Sequence, residues 1–386
     1  MRKKRLQGWT IIATFSCLLF LTLAISFFVR LRLEPNDLDG WKRPFIQSRI
    51  ETILRGSDGA PAISVAIVEH DATVYADAFG LAKVRTATHA TSETRFFAGS
   101  ISKMFVAVAM IQLAESGKLA LDRPVSQYVA GIPHGAAITL RELLSNTSGL
   151  PNVLDEAISD GSAFKMTTPA TIIARAGKRS LDFAPGTKFE YSNTNFVVLG
   201  LVVEAVSQMP LAEYEKRRIL DPCAMRASSF NRPGEVGSHA SGYSDAAGSV
   251  EVPLIDPSWL YAAGDLVTTA TDLARFDINL MQGKLISKAA LNMLEADGRP
   301  MGEGSRYTLG FIVTPVGTLT ALGHHGGMPG FEADDEMFIS DGFAIIVLGN
   351  ASTFATSAVN STVLSTLYPI NFALTIVQHL LGSPHT

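Results

Sequence analysis

The chain has 386 residues, 47% hydrophobic and 18% charged, with 32 glycines and 18 prolines. That mixture excludes a disordered, collagenous or low-complexity protein, and the length allows a sizeable core. The net charge of −4 is unevenly spread: residues 1–32 carry six bases and no acids, which leaves 26 bases against 36 acids in an acidic body that excludes nucleic acid as an expected partner.

Arg2, Lys3, Lys4 and Arg5 make residues 1–8 a basic stub expected in the cytoplasm. Trp9–Val29 is an uncharged run of 21 residues, and a helix of about 20 residues spans a bilayer. Four bases precede the run and two follow it, so the N-terminus is expected inside and the body outside. The run's full length favours an uncleaved membrane anchor over residues 9–29. The alternative is a secretory signal whose apolar stretch is Ile11–Leu23, cleaved at Ala24-Ile25-Ser26. Both readings export the protein, to a periplasmic or extracellular site. Cys17, after Thr14-Phe15-Ser16, makes a poor lipid-attachment site.

Residues 30–44 read as a linker and residues 45–386 as the folded body. Pro44–Arg55 has helical spacing at Phe45, Ile46, Ile50 and Leu54. Ala62–Val68 and Thr73–Phe79 are β-prone runs joined by Glu69-His70-Asp71-Ala72, a hairpin signal. Ser100–Glu115 is apolar on nearly every face, which marks a buried helix, and Gly117 ends it. Helical stretches follow at Thr139–Leu144, Pro169–Ala176, Asn195–Ser207, Leu211–Leu220, Ala270–Met281 and Lys288–Leu294. Strand character returns at Tyr307–Thr314, Gly317–Gly323, Glu332–Ser340 and Phe343–Leu348, and Ala358–Leu381 is expected to pack as helix on the sheet. Strands at both ends with helices between them predict one α+β unit: an antiparallel sheet built from both chain ends, with a helical insertion.

Three motifs carry chemistry. In Ser100-Ile101-Ser102-Lys103, residues i and i+3 of a helix share a face. A lysine that loses its charge by desolvation can take the serine proton. A second Ser-x-x-Lys, Ser162-Ala163-Phe164-Lys165, leads into a loop with nothing to bury its lysine, so Ser100 is preferred. In Tyr191-Ser192-Asn193, a tyrosine whose pKa neighbouring cations lower can relay a proton, and the Asn amide can hold both a substrate carbonyl and the lysine. Alone, that tripeptide reads as a turn after Pro185-Gly186. Gly323-His324-His325-Gly326-Gly327-Met328-Pro329-Gly330-Phe331 offers a strand whose glycines admit a ligand and whose N–H groups can stabilise an oxyanion; alone, it reads as a Gly-rich hairpin.

Order and spacing of these motifs resemble the penicillin-recognising serine hydrolases, in the branch of class C β-lactamases, DD-peptidases and related esterases. Leu143-Leu144-Ser145-Asn146-Thr147-Ser148-Gly149-Leu150-Pro151, Ala184-Pro185-Gly186-Thr187, Ala262-Ala263-Gly264 and Thr269-Ala270-Thr271-Asp272-Leu273-Ala274-Arg275 are similar to the same family, over about residues 45–350. The resemblance implies the β-lactamase/DD-peptidase-like fold, a helix-flanked antiparallel sheet plus a mostly helical lobe. It implies Ser100 as acylated nucleophile, Lys103 as base, Tyr191 as proton shuttle and Asn193 as substrate anchor. It places His324 at the Lys/His position of the third motif and Gly326 two residues on, although His325-Gly326-Gly327 also fits a bare His-x-Gly. The backbone N–H groups of Ser100 and Gly327 would form the oxyanion hole. Asn146 stands where the family often has His. His324 stands where class C β-lactamases usually have Lys, which points toward the peptidase and esterase members.

The implied activity is an acyl-enzyme hydrolase cleaving amide bonds of D-amino-acid, cell-wall-type peptides. Small acyl esters, β-lactams, and a non-turnover peptidoglycan or β-lactam sensor are the alternatives. No cofactor is expected. Cys17 and Cys223 lack metal-ligand spacing, no His-Glu-x-x-His occurs, and His70, His89, His134, His239, His379 and His385 are scattered, so no metal is expected either. The acidic run Asp334-Asp335-Glu336 reads as a solvated face.

Overall fold

The first helix of the structure, a computed structural model describing residues 42–230, 239–302 and 304–367, is α1 (Lys42–Leu54). The expected stub, anchor and most of the linker, and the last apolar segment beyond residue 367, lie outside the described residues. Helix α1 starts inside the segment read as linker, two residues before Pro44. Proline is tolerated there because first-turn N–H groups have no intrahelical acceptor to lose.

Strands β1 (Ala62–Glu69) and β2 (Ala72–Lys83) form the expected hairpin. Its connection is His70-Asp71, with His70 in the left-handed region at φ +57°. Short β3 (Thr88–His89) and β4 (Phe96–Phe97) follow. A single 3₁₀ turn, Gly99–Ile101, then runs into α2 (Ser102–Glu115). Residues Ser102 to Ile111 are buried without a break, as a helix with no polar face must be.

The helical lobe holds α3 (Leu140–Leu144), α4 (Leu154–Ser159), α5 (Pro169–Ala176), α6 (Asn193–Ser207) and α7 (Leu211–Glu215), which continues as a wider π turn over Lys216–Leu220. After β5 (Ser229–Phe230) come α8 (Pro257–Leu260), β6 (Leu266–Thr268), α9 (Ala270–Met281) and α10 (Lys288–Ala296). The hydroxyls of Thr139, Thr168, Thr269 and Ser287 accept hydrogen bonds from first-turn N–H groups, so four of these helices begin on side-chain caps.

The chain then returns to the sheet through β7 (Arg299–Gly302), β8 (Ser305–Tyr307), β9 (Ile312–Val316), β10 (Leu319–Met328), β11 (Phe331–Phe338) and β12 (Phe343–Gly349), and closes with α11 (Thr356–Leu367). The nine-stranded order is β3-β2-β1-β12-β11-β10-β9-β8-β7. Strands β1 and β12 pair antiparallel from Ile63↔Gly349 to Glu69↔Phe343, so both chain ends build one sheet, as expected. One expected strand, Tyr307–Thr314, is instead β8 and β9. The break falls at Gly310, whose φ of +80° and approach to α2 leave no space for a side chain: a Cβ would lie 2.6 Å from that of Ala107.

Alternation along each strand divides two cores. Ile63, Val65 and Ile67 join Phe338, Ile345 and Val347 under α1 and α11. Ala62, Ala66 and Val68 face the other way, toward α2, α9 and the lobe. The acidic run is not a solvated face: Asp334 and Asp335 are 1% and 0% exposed. Strand β11 lies between β10 and β12 with helices over both faces, so Asp334 and Asp335 are covered on either side and only Glu332 and Glu336 stay partly exposed. Among the described residues, no single helix is long and apolar enough to cross a membrane.

Candidate active site

The 3₁₀ turn places Ser100 just before α2, and one turn later Lys103 points back at it. Lys103 Nζ lies 2.9 Å from Ser100 Oγ, 2.8 Å from Asn193 Oδ1 and 2.7 Å from the Ala263 carbonyl. From the lobe, the Tyr191 hydroxyl donates to Ser100 Oγ at 2.8 Å. The expected Ser–Lys–Tyr–Asn set therefore meets at one point, where α2, α6 and the loop before β6 converge.

Among the described residues, no carboxylate balances Lys103. Complete burial pushes its ammonium well below the usual 10.5. A neutral amine has two N–H bonds and one lone pair, and three partners surround Nζ. The N–H groups suit Asn193 Oδ1 and the Ala263 carbonyl, leaving the lone pair for the Ser100 O–H. The rings of Tyr191 and Phe196 close the pocket, 4.9 and 5.4 Å from Nζ. Tyr191 departs from the expectation that cations lower its pKa: burial pushes it up and only the bond to Ser100 opposes this. The site pairs a lysine that gives up its proton readily with a phenol that holds on to its own.

The third motif lies on β10. Its alternation separates the two histidines: His324 faces the site core with Leu322 and Met328, while His325 faces the other side, ion-paired to Asp334 at 2.7 Å. His324 is 4% exposed, with ring-centroid distances of 6.2 Å to Tyr191 and 5.8 Å to Tyr307. Burial first, then nearby Lys103, pushes its pKa down to about 3. His324 is thus a neutral hydrogen-bonding group at pH 7 and not a cation. Its Nδ1–H donates to the His325 carbonyl, which leaves Nε2 to accept from the Tyr307 hydroxyl at 3.4 Å.

Gly326 and Gly99 let β10 pass against the turn that carries Ser100. A Cβ on Gly326 would lie 1.9 Å from the Ala98 carbonyl, and one on Gly99 would lie 3.1 Å from the Gly327 nitrogen. Backbone amides of Ser100 and Gly327 are brought together by that contact.

Several supporting residues lie outside the three motifs. Asn146 is fully buried at φ +53°, and its Oδ1 accepts from Ser192 N at 3.1 Å and Asn195 Nδ2 at 2.8 Å. It clamps the Tyr191–Asn193 turn. Asn152 Oδ1 accepts from the backbone N and the Nδ2 of Asn193 at 3.2 and 3.3 Å. Tyr307 supports His324, and the Ala263 carbonyl was foreseen only as part of a similar stretch. The second Ser-x-x-Lys brings nothing together: Ser162 Oγ accepts from Arg175 at 3.0 Å, and Lys165 is exposed.

A serine held between a buried lysine and a tyrosine, on an antiparallel sheet flanked by helices, defines a serine hydrolase of the Ser-x-x-Lys class. The chain belongs to the Beta-lactamase family, whose model matches residues 46–363. It is 32% identical to the provisionally named penicillin-binding protein PbpX of Bacillus subtilis (strain 168), over 73% of this chain and 68% of that protein. The octameric penicillin-binding protein homologue from Pyrococcus abyssi superposes with a TM-score of 0.72 at 29% identity, covering 88% of this chain and 76% of that one. The D-stereospecific amidohydrolase from Streptomyces sp. gives 0.73 at 26%, covering 84% and 98%.

Proposed function

We propose that this chain is an exported acyl-serine hydrolase that cleaves amide bonds of D-amino-acid peptides of the cell-wall type. The observation that carries the reading is Ser100 Oγ held between Lys103 Nζ and the Tyr191 hydroxyl in one buried site. Neutral Lys103 takes the Oγ proton as Oγ bonds to the substrate carbonyl carbon. The carbonyl electron pair moves onto oxygen, where the N–H groups of Ser100 and Gly327 stabilise it. Collapse of this intermediate breaks the C–N bond. The leaving amine takes a proton from Tyr191, which Lys103 restores. Water, or an acceptor amine, then attacks the acyl-serine with the same proton transfers reversed.

The D-peptide assignment draws support from the amidohydrolase and penicillin-binding relatives. His324 also stands where class C enzymes usually have lysine, which suits the peptidase and esterase readings better than a β-lactamase. Residues Trp9–Val29 supply the export element of the proposal, with the body outside the cytoplasm.

Intact-mass spectrometry tests the reading, using wild type and Ser100→Ala incubated with a penicillin or a fluorophosphonate, alongside hydrolysis of a D-alanyl-D-alanine peptide. Ser100-dependent adducts and cleavage of the D-peptide but not its L-isomer are expected. Adducts with ester cleavage alone would replace the peptidase by an esterase. Absence of any adduct, peptide cleavage or penicillin loss would overturn the enzyme. Labelling of intact cells with a membrane-impermeant reagent tests export.

A further inference from the structure

On the opposite face of β10 from Ser100, His325 stands directly across from Asp334 of β11, with Glu336 two residues further along the same face. One ligand atom from each of the three residues lies within 4.8 Å of the others. The set is assembled by strand register and is invisible in sequence spacing, because His325 and Asp334 come from different strands of a hairpin.

Helix α11 completes it. Asn360, 5% exposed, is seated over both acids: its Nδ2 donates to Asp334 Oδ2 at 2.6 Å and to Glu336 Oε2 at 3.2 Å. Its Oδ1 is buried with no hydrogen-bond partner. Turning the amide about its last torsion would exchange the two atoms and aim that oxygen at the carboxylates. A cation between them makes that orientation favourable, as a proton on one of the acids would. The Asp334 side chain is 2% exposed, its sole ion-pair partner among the described residues is His325, and that ring is 56% exposed. Carboxyl groups so close together and so little exposed are relieved by protonation or by a cation between them. The exposed edge of His325 provides an entry path from solvent.

We propose that His325, Asp334 and Glu336, with Asn360 as fourth ligand, bind a divalent first-row transition metal of the zinc type. One imidazole nitrogen with carboxylate and amide oxygens suits such an ion better than magnesium or calcium, which take oxygen ligands alone. The ion would tie β10, β11 and α11 together behind the strand that carries His324, Gly326 and Gly327, without touching Ser100. It would act as a clamp on the third motif.

The test is isothermal titration of the chelator-treated full chain with Zn²⁺ alone, with metal content measured after desalting. One Zn²⁺ per chain is expected, with affinity at least about tenfold lower in His325→Gln and in Glu336→Gln. Ser100→Ala should bind as wild type does, which separates this site from the catalytic one. His325 is half exposed, so His325→Gln carries the test if Glu336→Gln fails to fold. Failure of wild type to bind Zn²⁺ stoichiometrically, unchanged affinity in His325→Gln, or equally tight binding of Mg²⁺ would overturn the proposal.

Discussion

Tyr191→Phe removes one oxygen atom from the site and leaves the ring. That oxygen donates a single hydrogen bond, to Ser100 Oγ at 2.8 Å. The ring keeps its edge contact with Tyr307 at 5.9 Å and its place over Lys103. Stability should fall by about 1 kcal/mol, the net worth of one buried hydrogen bond. Catalysis should fall much further: losing a positioned proton donor costs about 10²–10⁴ in rate, or roughly 3–5 kcal/mol of barrier. The assay is the second-order rate of Ser100 acylation, by stopped flow or timed intact-mass measurement, beside urea unfolding of the same samples. The pH profile adds a second readout. Activity should fall on the acid side as Lys103 gains a proton, and Tyr191→Phe should keep that limb because the lysine remains. Acylation within about threefold of wild type, under 1 kcal/mol, would refute a proton path through the phenol. Loss of the acid limb would refute Lys103 as the base.

Ser162→Ala should stay within about fivefold of wild-type acylation, about 1 kcal/mol of barrier, since the Ser162 hydroxyl meets Arg175 and the Ala157 carbonyl, away from Ser100; abolished acylation in a folded chain would reverse the choice of motif. Gly326→Ala should reduce the fluorophosphonate labelling rate by about 10²–10³, the cost of a lost oxyanion donor, because its Cβ collides with the Ala98 carbonyl. Asn146→Ala should cost about 2–4 kcal/mol in urea unfolding, from unpaired buried groups and the left-handed backbone. Asp277 and Asp335 are buried together, and burial pushes Asp277 up to about 8 and Asp335 well above its usual value. Their folded pKa lies above the unfolded one. Their contribution is therefore fully present below pH ~4 and is lost as pH rises toward 8. Asp277→Asn should flatten Tm across that window and raise it at pH 8 while leaving it unchanged at pH 4.

The nucleophile helix was legible because its apolar residues fill every face, a pattern that only burial satisfies. That burial is what sets Ser100-Lys103 apart from Ser162-Lys165, whose lysine ends in solvent. Hairpin β1–β2 and capped helices such as α5 and α9 also followed from local rules of period, turn and cap. The break between β8 and β9 did not, because Gly310 sits left-handed only in response to α2 lying against it.

Chemical identity and order along the chain thus marked the candidate nucleophile, its lysine, the Tyr-x-Asn turn and the two-ended sheet, since each rests on residue type and the order of segments. Which of two adjacent histidines faces Ser100 was decided by the tertiary structure. A strand sends neighbouring side chains to opposite faces, and only the partners packed on each face say which one is the site. The same packing covered Asp334 and Asp335, and partly Glu336, in a run that reads as surface. It also brought in Asn146, Asn152 and the Ala263 carbonyl, whose roles arise from contacts between segments far apart in the chain.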